Sequence, residues 1–309
     1  MFAQYFGQFL LNRSLVTASQ LDQAMSAQKE TRVKLGVLAI NKGYLSPEQV
    51  EEVHQAQTRI DKRFGEIAVN LGYAKEEQIS ELLSSQQSAH LTLGQTLIDQ
   101  GTIDYEGFAS ALALYKKDYS LTDDKFDAIV NGNIEALLEA ILTKEGISLH
   151  WAMNDYISLF SKNMIRFIDS HIRLEVATGE AATAYEWTAQ QPLLSSDRII
   201  SRITGIGGSE ASFLKLASLY AQEAVEAPDE MMEASVGEFL NLHNGIFLVN
   251  LSNRSIELEM EPQSVTRGTE LATTTPVKVI IHVDGPQVKF DLIIADLGDL
   301  IATNYNREA

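Results

Sequence analysis

The sequence predicts an α+β protein built from two different parts. Residues 1–118 repeat with a period of 29 and have the apolar spacing of helices, whereas from residue 151 helical and strand-like segments are mixed. In that second part the strands are grouped with long helices instead of alternating strictly with them, which is typical of helices packed on an antiparallel sheet. We therefore expect four all-helical hairpin repeats over 1–118, a helical connector over 119–150 and an α+β domain with an antiparallel sheet over 151–309.

The composition argues against several classes of function. The chain has 309 residues, of which 45% are hydrophobic and 21% charged, as in globular proteins of about two domains. Acidic residues outnumber basic ones 42 to 24, and the resulting charge of −18 repels nucleic acid and anionic lipid. Cysteine is absent, which excludes disulfide scaffolds, thiolate zinc sites, iron–sulfur clusters and cysteine nucleophiles. There is no signal-peptide pattern and no apolar run of about 18 residues, so we expect a cytoplasmic protein without membrane insertion.

The repeat is marked by three series of residues that each recur every 29 positions. They are Gly7, Gly36, Gly65 and Gly94; Ser14, Gly43, Gly72 and Gly101; and Leu21, Val50, Ile79 and Phe108. In the second copy, Gly43 is suited to end one helix in a left-handed conformation, and Ser46 with Pro47 predicts the N-cap and first turn of the next. Each copy is therefore a helical hairpin of about 24 residues, and the copies must pack on one another to bury their apolar faces.

Further elements follow from apolar periodicity and turn residues. We expect helices over 124–130, 133–143, 152–169, from 209 through 219, and over roughly 229–248. We expect strands over 171–176, somewhere within 184–204, and over 255–260, 277–283 and 288–294. The tripeptide Asp284-Gly285-Pro286 predicts a hairpin turn between the last two strands.

The common sequence patterns of metal binding, nucleotide binding and serine nucleophiles are absent from the sequence. The six histidines show neither His-x-x-x-His nor His-Glu-x-x-His spacing, and there is no phosphate-binding P-loop or Gly-x-Ser-x-Gly elbow. The segment from Thr204 to Ser209 is similar to a dinucleotide-binding fingerprint, but Glu210 stands where its third glycine belongs. A carboxylate there would face the bound pyrophosphate, so this segment predicts a turn and a helix N-cap.

One polar pair remains as a candidate site. Glu238 and Asn241 are three residues apart in a predicted helix, so their side chains leave the same face. The neighbours Phe239, Leu240 and Leu242 supply the buried side of that helix. By spacing alone, an ordinary solvated pair is the favoured explanation of these residues, because Glu-x-x-Asn is a common sequence.

The segment from Ser235 to Gly245 resembles the active helix of the CheC/CheX/FliY family of chemotaxis phosphatases. That family is marked by Glu-x-x-Asn and a glycine four residues after the Asn, here Gly245. The similarity extends over about 151–296, and the single motif is most like CheX. Where the family usually has Asp or Ser, four residues before the Glu, this chain has Ala234.

This resemblance implies a phosphatase that hydrolyses the aspartyl phosphate of a phosphorylated CheY-type response regulator. In that reaction Asn241 orients the attacking water and Glu238 pairs with the receiver's lysine. The resemblance further implies Mg²⁺ on the receiver, no cofactor bound by this chain, and a homodimer formed through sheet pairing. The alternative is a non-enzymatic signalling adaptor in which Glu238 and Asn241 are inert.

The helical copies resemble the N-terminal domain of type II secretion and type IV pilus ATPases. In those proteins, paired 24-residue motifs beginning Arg-Leu-Gly and separated by five residues can bind cyclic di-GMP. The best pair here, 34–57 and 63–86, keeps the glycines and the closing Gln57 and Gln86, and begins with Lys34 and Arg63. The resemblance implies a regulatory or docking module, with a cyclic-di-GMP sensor acting through 34–86 as a second alternative.

Overall fold

The computed structural model describes residues 1–84, 89–149, 151–177, 185–195, 201–268 and 278–295. Gln86 and Val277, and residues 196–200 within the segment expected to hold a strand, lie outside these ranges. The chain divides into two compact units, Phe2–Ala140 and Ile141–Ala309, so the division falls inside the 119–150 segment. Each unit is described by itself below.

The first unit consists of helices. They are α1 (Phe2–Asn12), α2 (Ala18–Ala27), a short 3-10 helix (Gln28–Glu30), α3 (Leu35–Asn41), α4 (Pro47–Gln57), α5 (Phe64–Asn70), α6 (Glu76–Ser84), α7 (Ala89–Asp99), α8 (Tyr105–Asp118), α9 (Asp123–Val130) and most of α10 (Ile134–Lys144). The predicted end signals are confirmed in α3 and α4. Gly43 has φ +69°, and Ser46 caps α4 with its hydroxyl accepting from the Gln49 backbone N–H at 3.3 Å.

The helical hairpins do not stack in the order of the sequence. Helix α7 packs against α1, α2 and α3, and α8 packs against α4, whereas α5 and α6 pack against α4 and α3. The spatial order is therefore first, fourth, second, third. Tyr115 of α8 joins the fourth hairpin to the first. Its ring lies against three phenylalanines of α1, with ring centroids 5.3 Å from Phe2, 5.9 Å from Phe6 and 5.2 Å from Phe9.

The glycines of the first repeating series contact the apolar residues of the third series. A methyl group placed on Gly36 would lie 2.7 Å from Val50, and one on Gly65 would lie 2.6 Å from Ile79. Each glycine thus lets its helix approach the second helix of the same hairpin at a residue 14 positions later. This close approach explains physically why the glycines and the apolar residues recur together.

Gly94→Ala should lower the free energy of unfolding of this unit by about 3 kcal/mol, because the new methyl group would overlap the ring of Phe108. That ring is buried beside Phe6 and has little freedom to move. Gly7→Ala is the matched control, since its methyl would meet only the ends of two leucine side chains, Leu21 at 3.0 Å and Leu93 at 3.5 Å. It should cost less than about 1 kcal/mol. Urea unfolding followed by circular dichroism measures both. Equal losses in the two variants would contradict this explanation of the repeat.

The second unit packs three helices on an antiparallel sheet, which confirms the α+β class. Its elements are α11 (Trp151–Phe167), β1 (Arg173–Val176), β2 (Trp187–Ser195), β3 (Ser201–Gly208), α12 (Glu210–Ala221), α13 (Glu230–Ser252), β4 (Leu258–Met260), β5 (Ser264–Arg267), β6 (Lys278–Asp284) and β7 (Lys289–Ala295). Within the described residues the strand order is β1-β6-β7-β3-β2-β4, and β5 also pairs with β2. The hairpin turn after Asp284 is confirmed, because the Gly285 N–H donates to the Val288 carbonyl at 3.0 Å.

Three strand expectations need correction. The segment 184–204 holds all of β2 and the first half of β3, which pair with each other, instead of one strand, and β5 was not expected. The glycines after Thr204 lie inside β3 and do not form a turn. They are needed there because a side chain would meet a neighbour: a methyl on Gly205 would lie 2.7 Å from the Ala189 carbonyl oxygen, and one on Gly207 would lie 2.5 Å from the Tyr185 ring. The predicted N-cap is confirmed at Ser209.

Helix α13 is also four residues longer at its C-terminal end than the pattern indicated, and it is the longest of the described helices. Across the parts of the chain that the structure describes, no helix combines the length and the apolar character needed to cross a membrane.

Candidate functional site

The candidate site lies on α13, which runs along one edge of the sheet. The helix is capped by Asp229, whose Oδ1 accepts from the backbone N–H groups of Met231 at 3.0 Å and Met232 at 3.3 Å. It packs against α11, α12 and strands β2, β4 and β5. Packing on several sides gives the helix a fixed position, so side chains on its free face are presented on a rigid element.

The structure brings Glu238 and Asn241 to the same exposed face of α13. Glu238 is exposed, whereas Asn241 is half-buried at the seam between the helix and the sheet edge. Burial raises the pKa of Tyr220 on α12, and the negative charge of the Glu238 carboxylate raises it further. Ala234, one turn before Glu238, is exposed too. The pair is therefore accessible to another protein.

Two glycines of α13 face the sheet edge on either side of Asn241, and at Gly237 a side chain would crowd that edge. Gly237, Asn241 and Gly245 are spaced by four residues and so lie along one line of the helix surface. A methyl group on Gly237 would lie 3.0 Å from the Gln263 side chain, and one on Gly245 would lie 3.8 Å from that of Met260. Asn241 thus lies opposite the three residues that separate β4 from β5.

The amide of Asn241 is held by a side chain of the sheet. Gln191 of β2 donates from Nε2 to Asn241 Oδ1 at 2.9 Å and to the Glu261 carbonyl oxygen at 3.0 Å. Among the described residues, no partner is present for Asn241 Nδ2. One lone pair of Oδ1 and both Nδ2 hydrogens are consequently available to a ligand at the surface.

A buried polar network lies behind Gln191. Asn244 donates from Nδ2 to Gln191 Oε1 and to Thr204 Oγ1, both at 2.8 Å, and Tyr156 donates its hydroxyl to Asn244 Oδ1 at 2.8 Å. Gln191, Asn244, Thr204 and Tyr156 are each no more than 1% exposed. A fully paired network of this kind is rigid, and it links α11, α13 and two strands.

Sequence reasoning did not identify these four supporting residues. Asn244 lies in the segment that carries the motif, three residues after Asn241, which is the only sequence signal that pointed to it. Gln191 and Thr204 lie in strands, where a polar residue is normally expected on the solvent face.

His243 also lies beneath this face, fully buried. Its Nδ1 is 3.1 Å from Asn163 Nδ2, which is its hydrogen-bond donor, and its ring meets Tyr156 edge-on with centroids 4.3 Å apart. Burial away from water lowers the pKa of His243 to about 3, so the ring is neutral at physiological pH.

The cyclic-di-GMP alternative names Lys34, Arg63 and Gln57, and each of them contacts other residues of the first unit. Lys34 Nζ pairs with Asp99 Oδ1 at 2.7 Å, so its charge is already matched by a carboxylate. The Arg63 backbone N–H donates to Glu66 Oε2 at 3.0 Å, which places a second carboxylate beside that position. Gln57 donates to the Lys62 carbonyl oxygen at 3.4 Å. Within the described parts of both units, no group of histidines and carboxylates is arranged to hold a metal ion.

Comparison with known proteins gives similarity to solved structures only. No protein-family model matches the chain, and no curated protein matches it. A CheX–CheY complex with BeF₃ and Mg²⁺ from Borrelia burgdorferi is similar at 16% identity and TM-score 0.40, covering 47% of this chain and 96% of that one. A CheX from Desulfovibrio desulfuricans is similar at 10% identity and TM-score 0.39, covering 47% and 97%. FliY from Thermotoga maritima is similar at 17% identity and TM-score 0.33, covering 60% and 96%.

Proposed function

We propose that this protein hydrolyses the aspartyl phosphate of a CheY-type response regulator. The observation that carries the proposal is the position of Asn241: its amide is half-buried and held by Gln191, beside an exposed Glu238 on one face of a rigid helix. The Glu-x-x-Asn sequence, which resembles the active helix of CheX-type phosphatases, supports the same conclusion.

The reaction needs little from the added protein. Water attacks phosphorus, the bond from phosphorus to the aspartyl oxygen breaks, and the products are inorganic phosphate and the free carboxylate. The receiver supplies the electrophile and Mg²⁺. Asn241 accepts from the water through Oδ1 or donates to a phosphoryl oxygen through Nδ2, as water-positioning glutamines do in GTPases. Such positioning is worth several kcal/mol of barrier.

Glu238 would serve association more than chemistry. As an exposed carboxylate one turn from Asn241, it can form a charge-assisted hydrogen bond with a receiver lysine and fix the docking register. Glu238→Gln should therefore raise KM for the phosphorylated receiver about tenfold with kcat changed less than about twofold. Initial rates of phosphate release at varied receiver concentration measure both constants.

Glu230→Gln is the matched control for that variant, because Glu230 is exposed at the start of the same helix. It should leave both constants near those of the wild type. A fall in kcat at constant KM in Glu238→Gln would contradict a docking role.

The test of the function is the phosphoryl lifetime of the host's own receivers with and without this chain. We expect one receiver to lose its phosphate faster when the chain is added at catalytic amounts. A receiver that binds the chain while its phosphate lifetime stays unchanged would favour the adaptor alternative.

A further inference from the structure

The sheet edge next to Asn241 is irregular in the residues between β4 and β5. Strand β2 pairs Leu193 with Met260 of β4, and Gln190 with Ser264 of β5. Two residues of β2 therefore oppose three residues of the edge, 261–263, as in a β-bulge. Bulges of this kind redirect side chains and are frequent beside active sites.

The bulge contains a carbonyl group that the ladder cannot satisfy. The Glu261 N–H donates to the Pro192 carbonyl oxygen at 3.1 Å, as expected for opposed residues. The reciprocal bond cannot form, because proline has no N–H to give to the Glu261 carbonyl. The side chain of Gln191 donates to that carbonyl instead, at 3.0 Å.

This contact determines which way the Gln191 amide points. A main-chain carbonyl can only accept, so the Gln191 nitrogen must face Glu261, and the Gln191 oxygen then faces the donor Asn244 Nδ2. Asn241 lies on the nitrogen side and must offer its oxygen. Its Nδ2 is thereby directed away from Gln191.

We infer that Gln191 is a positioning residue: it fixes the orientation of the Asn241 amide at the surface, with the Glu261 carbonyl setting the direction. This inference rests on the proposed function for its catalytic consequence. Because Gln191 is 1% exposed, it cannot reach the receiver and acts only through Asn241.

The sharpest variant is Gln191→Met, which keeps the length of the side chain and removes its amide, both the Nε2 donor to Asn241 and the Oε1 acceptor of Asn244 Nδ2. Alone it would leave the Glu261 carbonyl unsatisfied, so it is best made together with Pro192→Ala, which restores a main-chain N–H opposite that carbonyl. Compared with Pro192→Ala alone, the double variant should lower kcat for phosphate release by about ten- to a hundredfold with KM changed less than about twofold. Gln190→Met, the same change one residue earlier with its side chain on the other sheet face, is the control and should leave kcat unchanged.

A second measurement does not depend on the reaction. The side-chain NH₂ signals of Asn241, identified by their loss in Asn241→Ala, report the order of this amide in NMR relaxation. In the double variant we expect that order to fall to that of a solvated asparagine. An Asn241 amide as ordered as in Pro192→Ala, or an unchanged kcat in a chain whose Asn241→Ala variant is inactive, would overturn the inference. A wild-type chain that accelerates no receiver would instead refute the proposed function, and the NMR result would still decide whether Gln191 orients the amide.

Discussion

Asn241→Ala should return the phosphoryl lifetime of the receiver to its value without this protein. The variant removes the amide that would orient the water, and losing one oriented polar group at a reacting centre costs roughly 10²–10³ in kcat. Receiver binding should persist, because Glu238 and the rest of the exposed helix face are unchanged. Rapid-quench measurement of phosphate remaining on the receiver, at saturating protein, gives kcat directly.

The control for this variant is Asn250→Ala, since Asn250 is an exposed asparagine further along α13. Folding of the second unit can be checked by tryptophan fluorescence, because both tryptophans of the chain, Trp151 and Trp187, belong to that unit. An Asn241→Ala protein that is folded and as active as the wild type would remove this residue from the mechanism.

Acid should destabilise each unit through one buried histidine. Burial lowers the pKa of His243 to about 3, and burial likewise lowers the pKa of His90 in α7 to about 3, each from an ordinary value of 6.5. Below pH 6.5 the unfolded chain takes up a proton that the folded state refuses, so stability is lost as the pH falls from 6.5 toward 3. At pH 4.5 the loss amounts to about 3 kcal/mol for each histidine.

His243→Gln should flatten this dependence in the second unit, because glutamine can still accept from Asn163 but does not titrate. The measurement is the free energy of urea unfolding by tryptophan fluorescence between pH 6.5 and 4.5. His90→Gln is the matched variant. It should leave unchanged the pH dependence of stability that tryptophan fluorescence measures. It should flatten the pH dependence of stability that amide hydrogen exchange in α7 measures. If the free energy of unfolding had the same pH dependence in the wild type and in His243→Gln, His243 would be protonated in the folded protein over this range.

Local signals predicted the parts of the fold that depend on neighbours in sequence. The helix ends at Gly43, Ser46 and Ser209 follow from backbone conformation and capping, and all three were predictable. The Glu238–Asn241 pair was found because a helix brings residues three apart to one face. The side chains that surround this pair were not predictable, because their positions depend on strand register. The bulge arises where Pro192 of one strand meets Glu261 of another, and nothing local in either segment shows that they are opposed.

The errors have the same origin. The glycines after Thr204 predict a turn because glycine is common in turns, whereas in β3 they make room for the Ala189 carbonyl and the Tyr185 ring. Gln191 carried no signal of its own, because a buried glutamine in a strand looks like a surface residue until its partners on α13 and the sheet edge are known.

The spatial order of the hairpins has a consequence for synthesis on the ribosome. The phenylalanines of α1 are covered by Tyr115 of α8 and by α7, which are translated some 80 to 110 residues later. At roughly 5–20 residues per second, the nascent chain would carry an uncovered aromatic surface for several seconds. Chaperones that recognise exposed aromatic segments therefore have a window in which to engage α1, and chains that terminate before α7 would be left prone to aggregation.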